Sequence, residues 1–237
     1  MRTLMLLIVA LAACGGSAKW KTAEELRKEY GPQLEAKIAK MIAAAKLSAG
    51  APGAPPVPIE LRGTTKLGDE PGHATNAIVV SSSELGAAAE TEDEHKLHSF
   101  QFQSDNDNHV YNARKLATLP PAFETTNETQ LKELLAARYL LILSGSMTDG
   151  HVTSSGFAPG TAEGIVTLVD LDTGKWLDEL EFSAKSSETL YTSTSSTGSS
   201  DADEKIKRDL RSNITKEIRE GIEKKWPGSG VPRNWGY

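Results

Sequence analysis

Tyr139-Leu140-Leu141-Ile142-Leu143 is the stretch that decides the fold. A half-buried strand would alternate apolar with polar residues, and an amphipathic helix would space its apolar residues three and four apart. This run does neither. It is expected to be a strand with both faces covered, at the centre of a sheet. Just upstream, Leu131, Leu134 and Leu135 recur at helical spacing behind Thr126 or Asn127, either of which can cap a helix. A helix therefore leads directly into the central strand.

Downstream comes the clearest local signal. Ile165, Val166, Leu168 and Val169 precede Asp172-Thr173-Gly174, and Trp176, Leu180 and Phe182 follow, alternating with Glu179 and Glu181. Two apolar runs around a glycine-containing turn read as a β-hairpin, over Gly164 to Leu171 and Lys175 to Ala184, with one polar face on its second strand. Asp170 and Asp178 read as turn and solvent-face residues. Ser186 to Ser200 is rich in Ser and Thr and extends an edge strand through Leu190-Tyr191 before becoming loop. Asp201 to Trp226 is the last helix. Ile206, Leu210, Ile214, Ile218 and Ile222 form its apolar stripe. Asp201, Asp203 and Glu204 in its first turn and Lys224 and Lys225 in its last suit the helix dipole.

Working towards the start, Ala77-Ile78-Val79-Val80 is a second buried strand and Phe100 and Phe102 alternate within a third, Ser99 to Gln103. Between them, Glu84 to Glu94 reads as a surface helix or loop. Val110 to Ala117 is helical and stops before Pro120-Pro121. Leu26, Tyr30, Leu34, Ile38 and Ile42 make one stripe on a helical segment that Gly31-Pro32 divides into two, because proline fits the first turn of a helix better than its interior. Core packing of that stripe and docking of a partner are both open. Ser48 to Pro58 is a Pro/Gly linker.

The expected fold class is α+β or α/β: an N-terminal helix pair, then a mixed or antiparallel sheet of about 4–5 strands with a C-terminal amphipathic helix packed on it. Residues 14–47 hold the helix pair, 48–75 the linker, 76–226 the α/β domain and 227–237 a tail carrying Trp235 and Tyr237.

The 237 residues carry a net charge of −6 and 38% hydrophobic residues. An acidic chain is a poor match for sequence-independent nucleic-acid binding, which needs cations along the phosphates, or for a basic face on anionic lipid. The single cysteine, Cys14, excludes an internal disulfide and a Cys-based zinc site.

Cys14 has a context of its own. Arg2 precedes the apolar segment Leu4 to Ala13, which is too short for a bilayer span of roughly 20 residues and has the proportions of a secretory signal. Leu11-Ala12-Ala13-Cys14-Gly15 then resembles the bacterial lipobox: a hydrophobic residue, two small residues, a cysteine. The resemblance implies that residues 1–13 are a signal peptide and that Cys14 is lipidated and becomes the mature N-terminus, with several acyl chains giving a stable anchor. Gly15 stands where an inner-membrane retention signal would place Asp. By resemblance this points to the outer membrane facing the periplasm, with the extracytoplasmic face of the plasma membrane as the alternative.

His95 and His98 lie at i,i+3 beside Glu92, Asp93 and Glu94, with His109 further on, but the segment is polar and reads as a solvated face. Asp105-Asn106-Asp107-Asn108 resembles the start of a calcium loop without its central glycine or its terminal glutamate, and reads as a turn. Asp149, His151, Ser144, Ser146, Ser154 and Ser155 invite a hydrolase reading, yet no nucleophile elbow accompanies them, and a hairpin loop accounts for them. No Walker loop or dinucleotide fingerprint occurs. The histidines are expected to be exposed. The residues thus predict no catalytic group, no metal and no cofactor.

Residues 127 to 225 also follow an order of helix, strand, Ser144-Gly145 loop, strand, Asp170-Leu171-Asp172-Thr173-Gly174-Lys175 turn, strand and helix. This is similar to the periplasmic α/β domain of lipoproteins that activate peptidoglycan synthases and of the curli-secretion lipoprotein. The resemblance implies protein binding in the envelope, with no catalytic residues to transfer. The expected function is that of a membrane-anchored, non-enzymatic module for an envelope protein or a cell-wall partner. An envelope hydrolase or a structural tether is the alternative.

Overall fold

The computed structural model describes residues 20–46, 59, 61, 76–86, 109–153, 156–187 and 199–230. Cys14, the histidine pair His95/His98, the Asp105–Asn108 turn, the Ser99–Gln103 strand, Ser154, Ser155, Leu190-Tyr191 and the Trp235/Tyr237 tail lie outside the described residues.

The fold is α+β. Helix α1 (Ala23–Ala45) comes first, then β1 (Ala77–Ser81), the short α2 (Ser82–Gly86), α3 (His109–Thr118) and α4 (Glu128–Ala136). Strand β2 (Tyr139–Thr148) follows, then β3 (His151–Thr153), β4 (Gly156–Ala158), β5 (Thr161–Asp170), β6 (Lys175–Lys185) and the long α5 (Ser199–Lys225). One mixed sheet runs β1-β2-β5-β6, and β3-β4 form a separate two-stranded arm. β1 pairs in parallel with β2, placing Val79 beside Leu141, while β2–β5 and β5–β6 are antiparallel.

The Tyr139–Leu143 run is central, as its composition requires. Tyr139, Leu141 and Leu143 face α5 together with Val166, Leu168 and Phe182. Leu140 and Ile142 face the other way, into a second core with α1, α3 and α4. Period-2 alternation of side chains therefore feeds two separate cores, so the Tyr139–Leu143 run has no polar positions. The α5 stripe is fully committed: Ile206, Leu210, Ile214, Ile218 and Ile222 are all buried. Ile59 and Leu61, which the sequence placed in the 48–75 linker, instead join the α5-side core, and the Leu61 N–H donates to Ser229 O at 2.8 Å.

Several expectations need correction. The helix pair is one continuous helix across Gly31-Pro32. Pro32 sits on the exposed side, where water can take the Lys28 carbonyl, and Gly31 has no Cβ to meet the proline ring. Its start is set by a capping box: Thr22 Oγ1 accepts from Glu25 N–H and the Glu25 carboxylate accepts from Thr22 N–H. The expected stripe is only half core: Leu26 and Leu34 are buried with Met41 and Ala44, whereas Tyr30, Ile38 and Ile42 are partly covered. A strict spacing of four drifts around a helix of 3.6 residues per turn.

Ser144 and Ser146 are not in a loop. β2 continues through them to Thr148, paired to Thr161–Ile165 of β5. In β6, Leu168 pairs with Asp178 and Val169 with Trp176, so Leu177 is an extra, bulged residue. The bulge reverses the alternation. Leu177 takes the buried place facing α5, and Trp176 turns to the opposite face. Asp178, in register with Leu168 and on the same face as Leu180 and Phe182, lies on the α5 side and is not a solvent-face residue.

Two glycine pairs shape the sheet's far end. Gly145 and Gly164 are register partners, and a Cβ on either would stand 2.2 Å from a carbonyl oxygen of the neighbouring strand. Further out, a Cβ on Gly150 would meet Ile206 and one on Gly160 would meet Leu210. Without side chains there, the β2–β5 ribbon lies directly on α5.

Candidate functional site

Four knots of titratable groups each bind one element to another. Asp170 ends β5 almost completely buried; its Oδ1 accepts from the Asp172 and Thr173 N–H groups at 2.9 and 3.1 Å, and Oδ2 from Arg138 Nη2 at 2.9 Å. Burial pushes its carboxyl up, but Arg138 and the two backbone donors outweigh burial and hold it below the ordinary carboxylate value. The turn reading of Asp170 stands. Gly174 closes the loop at φ 66°, a conformation glycine adopts without strain.

Asp178 Oδ2 accepts from Trp226 Nε1 at 2.8 Å and its Oδ1 lies 3.0 Å from Lys225 Nζ. Lys225 also donates to the Glu179 carbonyl, covering part of the β6 edge. At the opposite pole, Glu128 on α4 takes hydrogen bonds from Lys21 at 2.8 Å and Tyr30 at 3.0 Å and pairs with Lys132 at 2.9 Å. Burial raises the Glu128 carboxyl, but those donors prevail and hold it at about 2.

His109, expected to be exposed, is buried: Nε2 lies 2.7 Å from Glu133 Oε2, joining α3 to α4. Among the described residues its Nδ1 has no hydrogen-bond partner. His151 is exposed on β3, and Asp149 pairs with Lys207 of α5 at 3.6 Å. Ser144 and Ser146 point along β2, paired to Ile165 and Glu163. The described residues of the hydrolase reading are thus strung along one ribbon. Among the described residues, no group of three or more His, Cys, Asp or Glu gathers as a metal cluster, and no helix is long and apolar enough to cross a membrane.

An open face lies on the far half of the sheet, on the side away from α5. Ala162, Val166, Phe182 and Ala184 bury their side chains towards α5, so Glu163, Ile165, Glu181 and Ser183 stand on the other face, exposed. They line a shallow depression of about 700 Å³ above Gly145 and Gly164. Ile165 is a large apolar side chain at its centre, 37% exposed, with Glu181 as its register partner and Glu163 two residues away. An apolar residue rimmed by carboxylates suits a protein surface that presents a hydrophobic group among lysines or arginines. Sequence reading placed this face on the polar side of the hairpin; the glycine floor was invisible, because Gly145 and Gly164 meet only through the register. No family model, curated protein or solved structure matches the chain.

Proposed function

We propose that the protein is a lipid-anchored binding module of a bacterial envelope, tethered through Cys14, whose α/β domain engages an envelope protein or cell-wall partner. The observation that carries this reading is the Leu11-Ala12-Ala13-Cys14 run behind a short apolar segment headed by Arg2. Two features support the binding role. The buried carboxylate of Asp170 and the half-buried one of Asp178 serve backbone N–H groups and an indole, which are structural duties. The Ile165 face offers an apolar centre with an acidic rim.

Mass spectrometry of the mature N-terminus tests the anchor. A diacylglyceryl-modified Cys14 is expected, and an unmodified cysteine or cleavage elsewhere overturns it. Capture from detergent-solubilised envelopes, with wild type beside Ile165→Lys, tests the module. A partner retained by wild type and lost by the folded variant is expected; equal capture by both removes this face from the function.

A further inference from the structure

We infer that Trp20 and Phe123 form a membrane-contact patch that seats the anchored domain on the zwitterionic lipid surface. The inference rests on the lipid-anchor reading of Cys14 and adds to it an orientation. Among the described residues these are the two most exposed aromatic side chains, Trp20 at 58% and Phe123 at 49%. They belong to one local structure. Thr22 forms an antiparallel bridge with Glu124, Ala23 N–H donates to Phe123 O at 2.8 Å, and Thr125 N–H donates to Lys21 O at 3.2 Å. Pro120, Pro121 and Ala122, also exposed, continue the apolar loop up to Phe123.

The length of chain says what covers this patch. Trp20 lies six residues after Cys14, and six residues reach at most about 20 Å. An anchored Cys14 therefore keeps the Trp20 end of the domain within that distance of the bilayer. Trp is the side chain best suited to the interface, with an apolar body and one polar N–H. Charge selects the kind of surface. Residues 19–29 and 119–128 carry Glu24, Glu25, Glu29, Glu124 and Glu128 against Lys19, Lys21, Arg27 and Lys28. Lys21 is already bonded to Glu29 and Glu128. With five carboxylates against four cations such an end has no basic excess to draw anionic headgroups, so the contact is apolar and independent of acidic lipid.

The test uses the full lipidated chain in phosphatidylcholine vesicles, some with brominated acyl chains that quench nearby tryptophan. Wild-type emission is expected to fall with brominated lipid, and Trp20→Phe is expected to lose that quenching while remaining folded by circular dichroism. Equal quenching is expected when phosphatidylglycerol is added. Vesicle-bound, lipidated protein whose Trp20 is unquenched overturns the patch and leaves the anchor standing. So does a requirement for phosphatidylglycerol, or a dimer in detergent that Trp20→Ser/Phe123→Ser dissociates, which would give the patch to a second copy. An unmodified Cys14 by mass spectrometry overturns both readings.

Discussion

The indole N–H of Trp226 donates to Asp178 across 2.8 Å, joining the C-terminal end of α5 to the bulged stretch of β6. Trp226 is 5% exposed, so its N–H has no ready recourse to water. Asp178→Ala should cost about 1–3 kcal/mol, the penalty of leaving a buried donor unsatisfied. Asp178→Asn keeps an acceptor and should recover most of that loss. Urea denaturation of both variants checks this, and equal losses would mean that the Lys225 charge, not the indole bond, is what matters.

The Gly145–Gly164 pair sets a steric demand. Gly164→Ala places a methyl 2.2 Å from Ser144 O and 2.9 Å from Phe182, with backbone on one side that cannot yield. A loss of about 1–3 kcal/mol or more is expected, as in overpacked cores. Gly174 differs: its Cβ position is open and only its φ of 66° is restrictive. Gly174→Asn should therefore cost less than about 1 kcal/mol, since Asn tolerates this region. Thermal melts of the two variants separate contact from conformation.

Acid should loosen the first helix from α4. Glu128 has its carboxyl lowered from 4.5 to about 2 in the folded protein. A depressed carboxyl contributes stability that is fully present above its unfolded value and is lost as pH falls through the folded value. The loss should accordingly run from about pH 4.5 down to about pH 2, with a size of order 1–3 kcal/mol after solvent screening at a partly exposed site. Glu128→Gln should flatten the pH dependence of the melting temperature in that window. An unchanged slope would assign the acid sensitivity to other groups, Asp170 among them.

The histidines divide into two kinds. His109→Ala removes the partner of Glu133 inside the α1–α3–α4 layer and should cost about 1–3 kcal/mol. His151→Ala, at an exposed strand position, should stay within about ±0.5 kcal/mol. Cellular function should survive His151→Ala. Loss of function in a folded, lipidated His151→Ala protein would favour the hydrolase alternative.

Much of the architecture was legible from local chemistry. Tyr139–Leu143 announced a strand covered on both sides, Asp172-Thr173-Gly174 announced its hairpin, and Ile206 to Ile222 announced a helix with one buried face. Each is a short-range property: side-chain period, turn conformation and capping act within a few residues. The Ile165 face was visible only as the hairpin's polar side.

The tertiary structure alone decided what depends on distant neighbours. The parallel pairing of β1 with β2 joins residues about sixty positions apart, such as Val79 with Leu141, and nothing within either strand specifies it. Leu177 bulges into the α5-side core, in the place Trp176 would otherwise take, and Asp178 meets Trp226 only because α5 packs on that face. His109 looked exposed among polar neighbours, yet Glu133, on another helix, supplies the bond that makes its burial affordable. Periodicity reports which face of an element is apolar; only packing reports what that face, and each polar residue on it, will meet.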